Sequence, residues 1–468
     1  MAPTVIYNIT DVNDTDGSPV SPDKSIYSIS CTYKRESRMS VHEQIRQRVF
    51  DRADHHVELL RSGLEASFSD VETFQEWVTD RLDLIGASTE QFTLSHDTLG
   101  DQSAFQEQLN TDPESIRLGS NVVGHFPGNA EATTLVFAHA DKAPVSYQHV
   151  AAGHGIKFNE GRLVGPGIAD DVSGVTAAIS AIDTLAESGR EPATSVMIAS
   201  ILGKQLGVGG TYGLMRRYGP AQAAVYTHPA ESGQGLTDLK IGSNGMYEFV
   251  VEVEGSQPTT SEVHHPLYQH QGVNPIDVAG EITDRLHGWT DELAAENTHP
   301  GVEEVAGTSA GLLVSDIQVD DENRAVYEMP RRSLLRAVLA FPPGVTLDAV
   351  TERVQRGVNE AAAEAGTRSV SIRRGDHVAD SAEAPTGTAA VRTATDSITA
   401  VTDHEPVYYY GHTASDIRYP MLYWDAPTVG FGPRAGAMGA PDEWIDRREY
   451  LETISALAVF LVNFEPAA

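Results

Sequence analysis

Three short segments carry histidine and aspartate side chains of the kind that bind metal ions and move protons. The first contributes His139 and Asp141, the second Asp170 and the third His228. Imidazole nitrogens and carboxylate oxygens are zinc ligands, and a zinc ion with three protein ligands keeps a position for a reacting water. A lone histidine is more often structural than a ligand. The segments therefore predict a hydrolytic metal site only if the fold brings them together.

Each of these segments adjoins a predicted strand or helix. Apolar runs predict strands at 134–138, 195–202 and 223–227, and helical spacing predicts helices at 173–188 and 211–218. Short apolar strands that alternate with helices are typical of an open, mostly parallel α/β sheet. Such sheets place their functional side chains beyond the carboxyl ends of the strands, which supports convergence of the segments.

The pattern changes in the second half of the chain. Between residues 246 and 376 the predicted elements follow the order β-α-β-β-α-β, which is typical of a ferredoxin-like unit. The α/β pattern then resumes up to the last predicted helix. We therefore predict an α/β catalytic-type domain from 45–245 and 377–468, an inserted ferredoxin-like lid over 246–376, and a flexible extension over 1–44.

The composition limits the classes of partner. Acidic residues number 66 against 33 basic ones, which gives a net charge of −33. This balance argues against nucleic acid and against anionic membranes as partners. Only six of the bases are lysines, and a lysine-poor, acidic surface is typical of salt-adapted proteins, in which salt screens the repulsion.

Cysteine use and hydropathy predict the compartment. The single cysteine, Cys31, allows no intrachain disulfide and no cysteine-based metal site. The first residues lack the basic and apolar pattern of a signal peptide, and no run of about 18 apolar residues predicts a membrane span. We expect a cytoplasmic protein.

These motifs and the domain order resemble the co-catalytic zinc hydrolase family that includes aminoacylase, acetylornithine deacetylase, succinyl-diaminopimelate desuccinylase, carnosinase and peptidase T. The resemblance covers residues 45–468 and implies a zinc domain interrupted by a dimer-forming lid. His139 and Asp141 match the family's His-x-Asp motif, and Asp170 matches its bridging aspartate. His265, which precedes a Gly-Val-Asn segment, matches the lid histidine, and this implies a role in substrate binding.

The sequence departs from the family at four positions of the site. Lys204 stands in place of the general-base glutamate, and Gln205 in place of a second glutamate that binds zinc. His228 replaces the acid of a Glu-Pro motif, and Gly439 stands where the last histidine ligand is expected.

The resemblance divides the remaining donors between two metal positions. His139, Asp170 and His228 would hold one zinc ion, and all three are suitable ligands. The other position keeps only Asp170, because Gln205 and Gly439 do not hold zinc. We therefore expect at most one zinc ion per chain.

Lys204 and Asp141 are the predicted catalytic residues. The Lys204 ammonium would face the vacated second position, where it would balance Asp141 and Asp170 and stabilise an oxyanion. Asp141 is a candidate replacement for the missing base, beside Asp171 and a zinc-bound hydroxide. His412 is a reserve ligand.

Three functions remain open. The first is a one-zinc hydrolase of amide bonds in a small molecule or short peptide, and the second is an inactive pseudoenzyme that binds or regulates. The third uses Lys204 as a nucleophile or base. The resemblance also implies a homodimer that forms through the lid.

Overall fold

The structure is a computed structural model that describes residues 39–94, 119–142, 156–159, 161–204, 209–259, 265–319, 328–367 and 369–466. Almost all of the predicted extension, 1–44, lies outside these residues. The first helix begins at Val41, so the last four residues assigned to the extension are helical.

The helices are numbered here in chain order. They are α1 (Val41–Asp51), α2 (Ala53–Ser69), α3 (Val71–Leu84), α4 (Ser173–Glu187), α5 (Gly210–Arg217), α6 (His265–Tyr268), α7 (Pro275–Glu296), α8 (Pro300–Ala306), α9 (Leu347–Glu364), α10 (Ala389–Thr402), α11 (Arg418–Trp424) and α12 (Arg447–Asn463). Within the part of the chain that the structure describes, no helix is both long and apolar enough to cross a membrane.

The strands are numbered in the same way. They are β1 (Ser88–Thr93), β2 (Ser120–Phe126), β3 (Thr133–His139), β4 (Lys157–Phe158), β5 (Arg162–Val164), β6 (Ser195–Ile201), β7 (Ala223–Tyr226), β8 (Asp238–Lys240), β9 (Gly242–Ser243), β10 (Gly245–Glu254), β11 (Gly311–Val319), β12 (Arg332–Phe341), β13 (Ser369–Ala379), β14 (Ala382–Glu383), β15 (Val407–Tyr409), β16 (Thr428–Gly430), β17 (Ala435–Gly436) and β18 (Trp444–Asp446).

An eight-stranded sheet has the order β1-β2-β6-β3-β7-β16-β8-β15. Its centre is parallel, since β3 pairs in parallel with β6 and β7, and β16 pairs in parallel with β7. Nearly every residue of β3 and β6 is buried, as expected for strands covered on both faces. The α/β fold predicted from the sequence is confirmed. The antiparallel strands β1, at one edge of the sheet, and β2, between β1 and β6, were not predicted, because polar residues interrupt the strand pattern in both.

Helices bury the apolar faces of this sheet. α4 is buried along almost its whole length, and α12 is buried from Tyr450 to Leu461. A helix that is apolar all round belongs in a core, and α12 packs against both α4 and α10. These helices therefore hold the strand ends, and the loops beyond them, in fixed positions.

The second sheet is antiparallel, with the order β11-β12-β10-β13. With α7 and α9 packed on it, this is the strand order of a ferredoxin-like unit. Burial alternates along β12, because one face of the sheet lies on a second hydrophobic core. β11 is an edge strand that exposes Leu313 and Ile317. The domain boundaries and the homodimer remain predictions.

His56 makes the fold sensitive to acid. It lies in α2 with 0% exposure, and neither ring nitrogen has a hydrogen-bond partner. Burial lowers its pKa from 6.5 to about 4, and nearby His55 and Arg52 add to this. The unfolded chain therefore binds the proton first, so stability falls as the pH drops from 6.5 towards 4.

We expect this residue to cost the wild type about 2 kcal/mol of unfolding free energy between pH 7 and pH 5. His56→Leu should remove that part of the pH dependence, as measured by denaturant unfolding at the two pH values. His287→Leu, at an exposed position of α7, is the control. Equal pH dependence in the wild type and His56→Leu would contradict the prediction.

Candidate metal centre

Four side chains meet beyond the carboxyl ends of three neighbouring strands. His139 is the last residue of β3, Lys204 lies three residues after β6, and His228 lies two residues after β7. Because β3 lies between β6 and β7 and is parallel to both, the three ends are adjacent. Asp170 comes from the turn Ile168–Val172 that leads into α4.

Asp170 is the centre of this group. Its Oδ1 lies 2.7 Å from Nε2 of His139 and 3.0 Å from Nε2 of His228. The three potential ligand atoms lie within 4.8 Å of one another, and both imidazoles are buried. The structure thus brings together the three residues predicted to hold a metal ion.

Backbone carbonyls orient both imidazole rings. Nδ1 of His139 donates to the carbonyl oxygen of Asp141 at 2.7 Å, and Nδ1 of His228 donates to that of Pro229 at 2.6 Å. A carbonyl oxygen only accepts, so Nδ1 carries a proton in each ring. Each Nε2 is thereby turned towards Asp170, as a metal-binding histidine requires.

Lys204 contacts all three of these ligand atoms. Its Nζ lies 3.2 Å from Oδ1 of Asp170, 3.1 Å from Nε2 of His228 and 3.4 Å from Nε2 of His139. The sequence predicts an ammonium near Asp170 or Asp141, but not contact with both imidazoles. The ammonium therefore lies among the donors of the first metal position.

The charges of the group shift one another's pKa values. Burial raises the pKa of Asp170, but Lys204 and His139 outweigh it and hold this pKa well below its usual range. Burial lowers the pKa of Lys204, but the carboxylates of Asp170, Glu231 and Asp416 together outweigh it, and this pKa ends above its usual value. Burial, with Lys204, lowers the pKa of His228 to about 3. Neutral His228 therefore accepts from the Lys204 ammonium, which also donates to ionised Asp170.

Two further aspartates, Asp141 and Asp171, accept hydrogen bonds from the backbone N–H groups of the site. Oδ1 of Asp141 accepts the backbone N–H groups of Gly203 at 3.0 Å and Lys204 at 3.3 Å. Asp171 is buried, and its Oδ2 accepts the N–H of His139 at 3.4 Å. Burial raises the pKa of Asp171 well above its usual value. Asp141, predicted as a base, thus has one oxygen engaged by the turn after β6.

A second charged cluster, formed by Glu231, Lys240 and His412, adjoins His228. Oε1 of Glu231 lies 2.7 Å from Nζ of Lys240 and 2.5 Å from Nδ1 of His412, and 3.5 Å from Nδ1 of His228. Lys240 has 0% exposure. Of these three residues, only His412 is a candidate from the sequence. No apolar run marks β8, whose residues are Asp238, Leu239 and Lys240, so the burial of Lys240 has no signal in the sequence.

Glu443 holds the loop that carries Asp170. Its buried carboxylate accepts four backbone N–H groups. Oε1 binds those of Ala169 and Asp170 at 2.6 Å each, and Oε2 binds those of Gly167 and Gly439 at 3.2 Å each. Burial raises the pKa of Glu443 to about 7, although these donors oppose the shift. No sequence pattern marks Glu443, because three of its four partners lie 273 to 276 positions away along the chain.

Three other positions were singled out from the sequence. Gln205 lies outside the described residues. His265 begins the short helix α6, and its side chain is not among those that the structure describes. Gly439 has a φ of 75°, a left-handed conformation that favours glycine. This backbone conformation favours the glycine that stands where the family resemblance places a histidine ligand.

The fold and the site together define a class. An α/β sheet with an inserted ferredoxin-like unit, and a His–Asp–His group at its strand ends, is the architecture of a metal-dependent hydrolase. The sequence profile of peptidase family M20/M25/M40 matches residues 135–463, more than half of the chain. The chain belongs to this family, which confirms the resemblance seen in the motifs. A search of curated protein sequences finds no match.

Solved structures agree on the fold. The aminopeptidase PepT from Bacillus cereus is 15% identical, with a TM-score of 0.64, over 89% of this chain and 98% of that protein. Human carnosine dipeptidase 1 is 15% identical, with a TM-score of 0.63, over 91% of this chain and 98% of that protein. The di-peptidase Dug1p from Saccharomyces cerevisiae is 14% identical, with a TM-score of 0.63, over 91% and 99%.

The three donors fit the metal ion that the family implies. Two imidazoles present Nε2 and one carboxylate presents Oδ1 to a common point, and this is a donor set that zinc accepts. The same point lies beside the Lys204 ammonium, so the donors suit an ion but already contact a cation of the chain itself.

Proposed function

We propose that the chain hydrolyses an amide bond in an N-acyl amino acid or a short peptide, with one divalent metal ion held by His139, Asp170 and His228. The proposal rests on the convergence of these donors within 4.8 Å in a member of peptidase family M20/M25/M40. A bound zinc ion polarises a carbonyl and lowers the pKa of bound water towards about 7.

We propose at most one ion per chain. A second position of the type that the family resemblance implies would use Asp170, Gln205 and Gly439. Gly439 has no donor atom in its side chain, and its positive φ favours glycine. An amide at Gln205 is a weak partner for zinc compared with carboxylate, imidazole or thiolate.

Lys204 supplies positive charge in the proposed reaction. Burial works against the ammonium, but Asp170, Glu231 and Asp416 all raise the pKa of Lys204, so the side chain is better suited to supply positive charge than to act as a base or nucleophile. It can stabilise the oxyanion of a tetrahedral intermediate. Because the usual general base is replaced, we expect turnover to be about 10²–10⁴-fold slower than with a positioned glutamate.

The alternative is a binding protein that has lost hydrolysis. The observation that favours it is the Lys204 ammonium, which lies 3.1 to 3.4 Å from every donor of the metal position. Three donors that already contact an ammonium are as well suited to recognising an anion as to catalysis.

The test combines metal analysis with a hydrolysis screen. We expect protein purified in high salt to bind one zinc ion and to hydrolyse some N-acyl amino acids or dipeptides slowly. His228→Ala should lose the ion and at least about 10²-fold of the activity, whereas His56→Leu, which changes a buried histidine elsewhere, should keep both. Metal-loaded protein that hydrolyses none of these substrates would contradict the proposal in favour of the binding protein.

We also propose a cytoplasmic homodimer that forms through the lid and binds neither nucleic acid nor membranes. The exposed edge strand β11, where Leu313 is 62% and Ile317 42% exposed, supports the pairing, and the net charge of −33 supports the exclusions. A monomeric mass by light scattering in high salt would contradict the dimer.

A further inference from the structure

The Lys204 ammonium and a metal ion need the same place. Nζ contacts Oδ1 of Asp170, Nε2 of His228 and Nε2 of His139 at 3.2, 3.1 and 3.4 Å. These are the atoms through which the proposed ion would be held. We propose that Lys204 is a built-in competitor of the metal ion, so that the ion binds only when this side chain withdraws. The inference rests on the proposed metal site and concerns its control.

The spacing of the donors supports competition. Oδ1 of Asp170 lies 2.7 Å from Nε2 of His139 and 3.0 Å from Nε2 of His228. Around a tetrahedral zinc ion with bonds of about 2.1 Å, neighbouring ligand atoms lie about 3.4 Å apart. The group is therefore drawn together as a hydrogen-bonded cluster that includes the ammonium, and it must open to admit an ion.

The Lys204 ammonium already supplies to Asp170 the positive charge that a metal ion would supply. Asp170 is a mostly buried carboxylate with 13% side-chain exposure, and burying it without a cation would be costly. The ammonium meets this need in the free protein, and the ion would meet it in the loaded protein. Both together would place two positive centres within a few Å of each other, where they repel strongly.

Lys204 is less buried than the two imidazoles and has partners for withdrawal. Its side chain is 13% exposed, whereas the side chains of His139 and His228 are 0% and 1% exposed. Glu231 and Asp416 also attract its charge. A flexible lysine stem can turn towards such carboxylates, while the imidazoles stay fixed by their hydrogen bonds to backbone carbonyls. We therefore expect the lysine side chain, and not the imidazoles, to move when the ion binds.

The test measures zinc affinity rather than activity, by equilibrium dialysis of the full chain in high salt. We expect Lys204→Met to bind zinc about 10- to 100-fold more tightly than the wild type, because the ion no longer displaces charge-assisted hydrogen bonds. Lys142→Met is the matched control. It removes a lysine whose ammonium contacts Ser67 instead of the three donors, and it should leave the affinity unchanged within about twofold.

The variant Lys204→Met/His228→Ala locates the effect, since it should lose the gain. Equal, His228-dependent affinity in the wild type and Lys204→Met would overturn the competition and leave the proposed metal site standing. An equal gain in Lys142→Met would also overturn it, because the effect would then be one of overall charge. Absence of zinc binding in both the wild type and Lys204→Met would overturn the metal site itself and the competition with it.

Discussion

Lys240→Met should lower the free energy of unfolding by about 3–5 kcal/mol. Lys240 ends β8 with 0% exposure, and its Nζ lies 2.7 Å from Oε1 of Glu231 and 3.0 Å from Nδ1 of His412. Burial lowers the pKa of Lys240 and Glu231 opposes that shift. Removing the ammonium takes away a cation 2.7 Å from the Glu231 carboxylate and leaves that carboxylate with the imidazole of His412. Denaturant unfolding in high salt measures the loss.

A double-mutant cycle separates this pair from simple packing. Glu231→Gln should also destabilise the protein, because it leaves the buried Lys240 without its carboxylate. The double variant Lys240→Met/Glu231→Gln should be more stable than the sum of the two losses predicts, since neither charge remains unpaired. Additive losses, or a Lys240→Met protein within about 1 kcal/mol of the wild type, would show that the pair is not coupled as the distances indicate.

The fold was predictable because its signals are local. The apolar run at 195–202 corresponds to β6, and the helical spacing at 173–188 corresponds to α4, each within a residue or two at either end. Once parallel strands are inferred, the rule that their carboxyl ends meet at one edge of the sheet places His139 and His228 together. Convergence of the two histidines could therefore be predicted without coordinates.

The orientation of the site could not be predicted in this way. Whether Lys204 points at one carboxylate or at three ligand atoms depends on side-chain torsions and on where neighbouring loops lie. The hydrogen bond from the N–H of Asp170 to Glu443 joins residues 273 positions apart, and no periodicity marks such a partner. Lys240 is similar, because a lysine in a strand is buried only if the fold supplies a carboxylate such as Glu231. Contacts of this kind follow from the tertiary structure.

Glu443→Ala should lower the free energy of unfolding by more than about 3 kcal/mol and weaken zinc binding in the protein that remains folded. The carboxylate accepts four backbone N–H groups, three of them in the loop of Gly167 to Asp170. A buried donor left without its acceptor costs about 1–3 kcal/mol. With the carboxylate gone, the loop that aims Asp170 at His139 and His228 loses its support.

Glu449→Ala distinguishes this positioning role from stability alone. Oε2 of Glu449 accepts the backbone N–H groups of Leu236 at 3.2 Å and Arg434 at 3.0 Å, and its side chain is 15% exposed. Both glutamates thus accept backbone N–H groups, but only Glu443 accepts those of the loop that carries Asp170. We expect Glu449→Ala to lose stability while zinc affinity, measured well below its unfolding temperature, stays that of the wild type. If Glu443→Ala also keeps the wild-type affinity, the loop holds Asp170 in place without this carboxylate, and Glu443 acts on stability only.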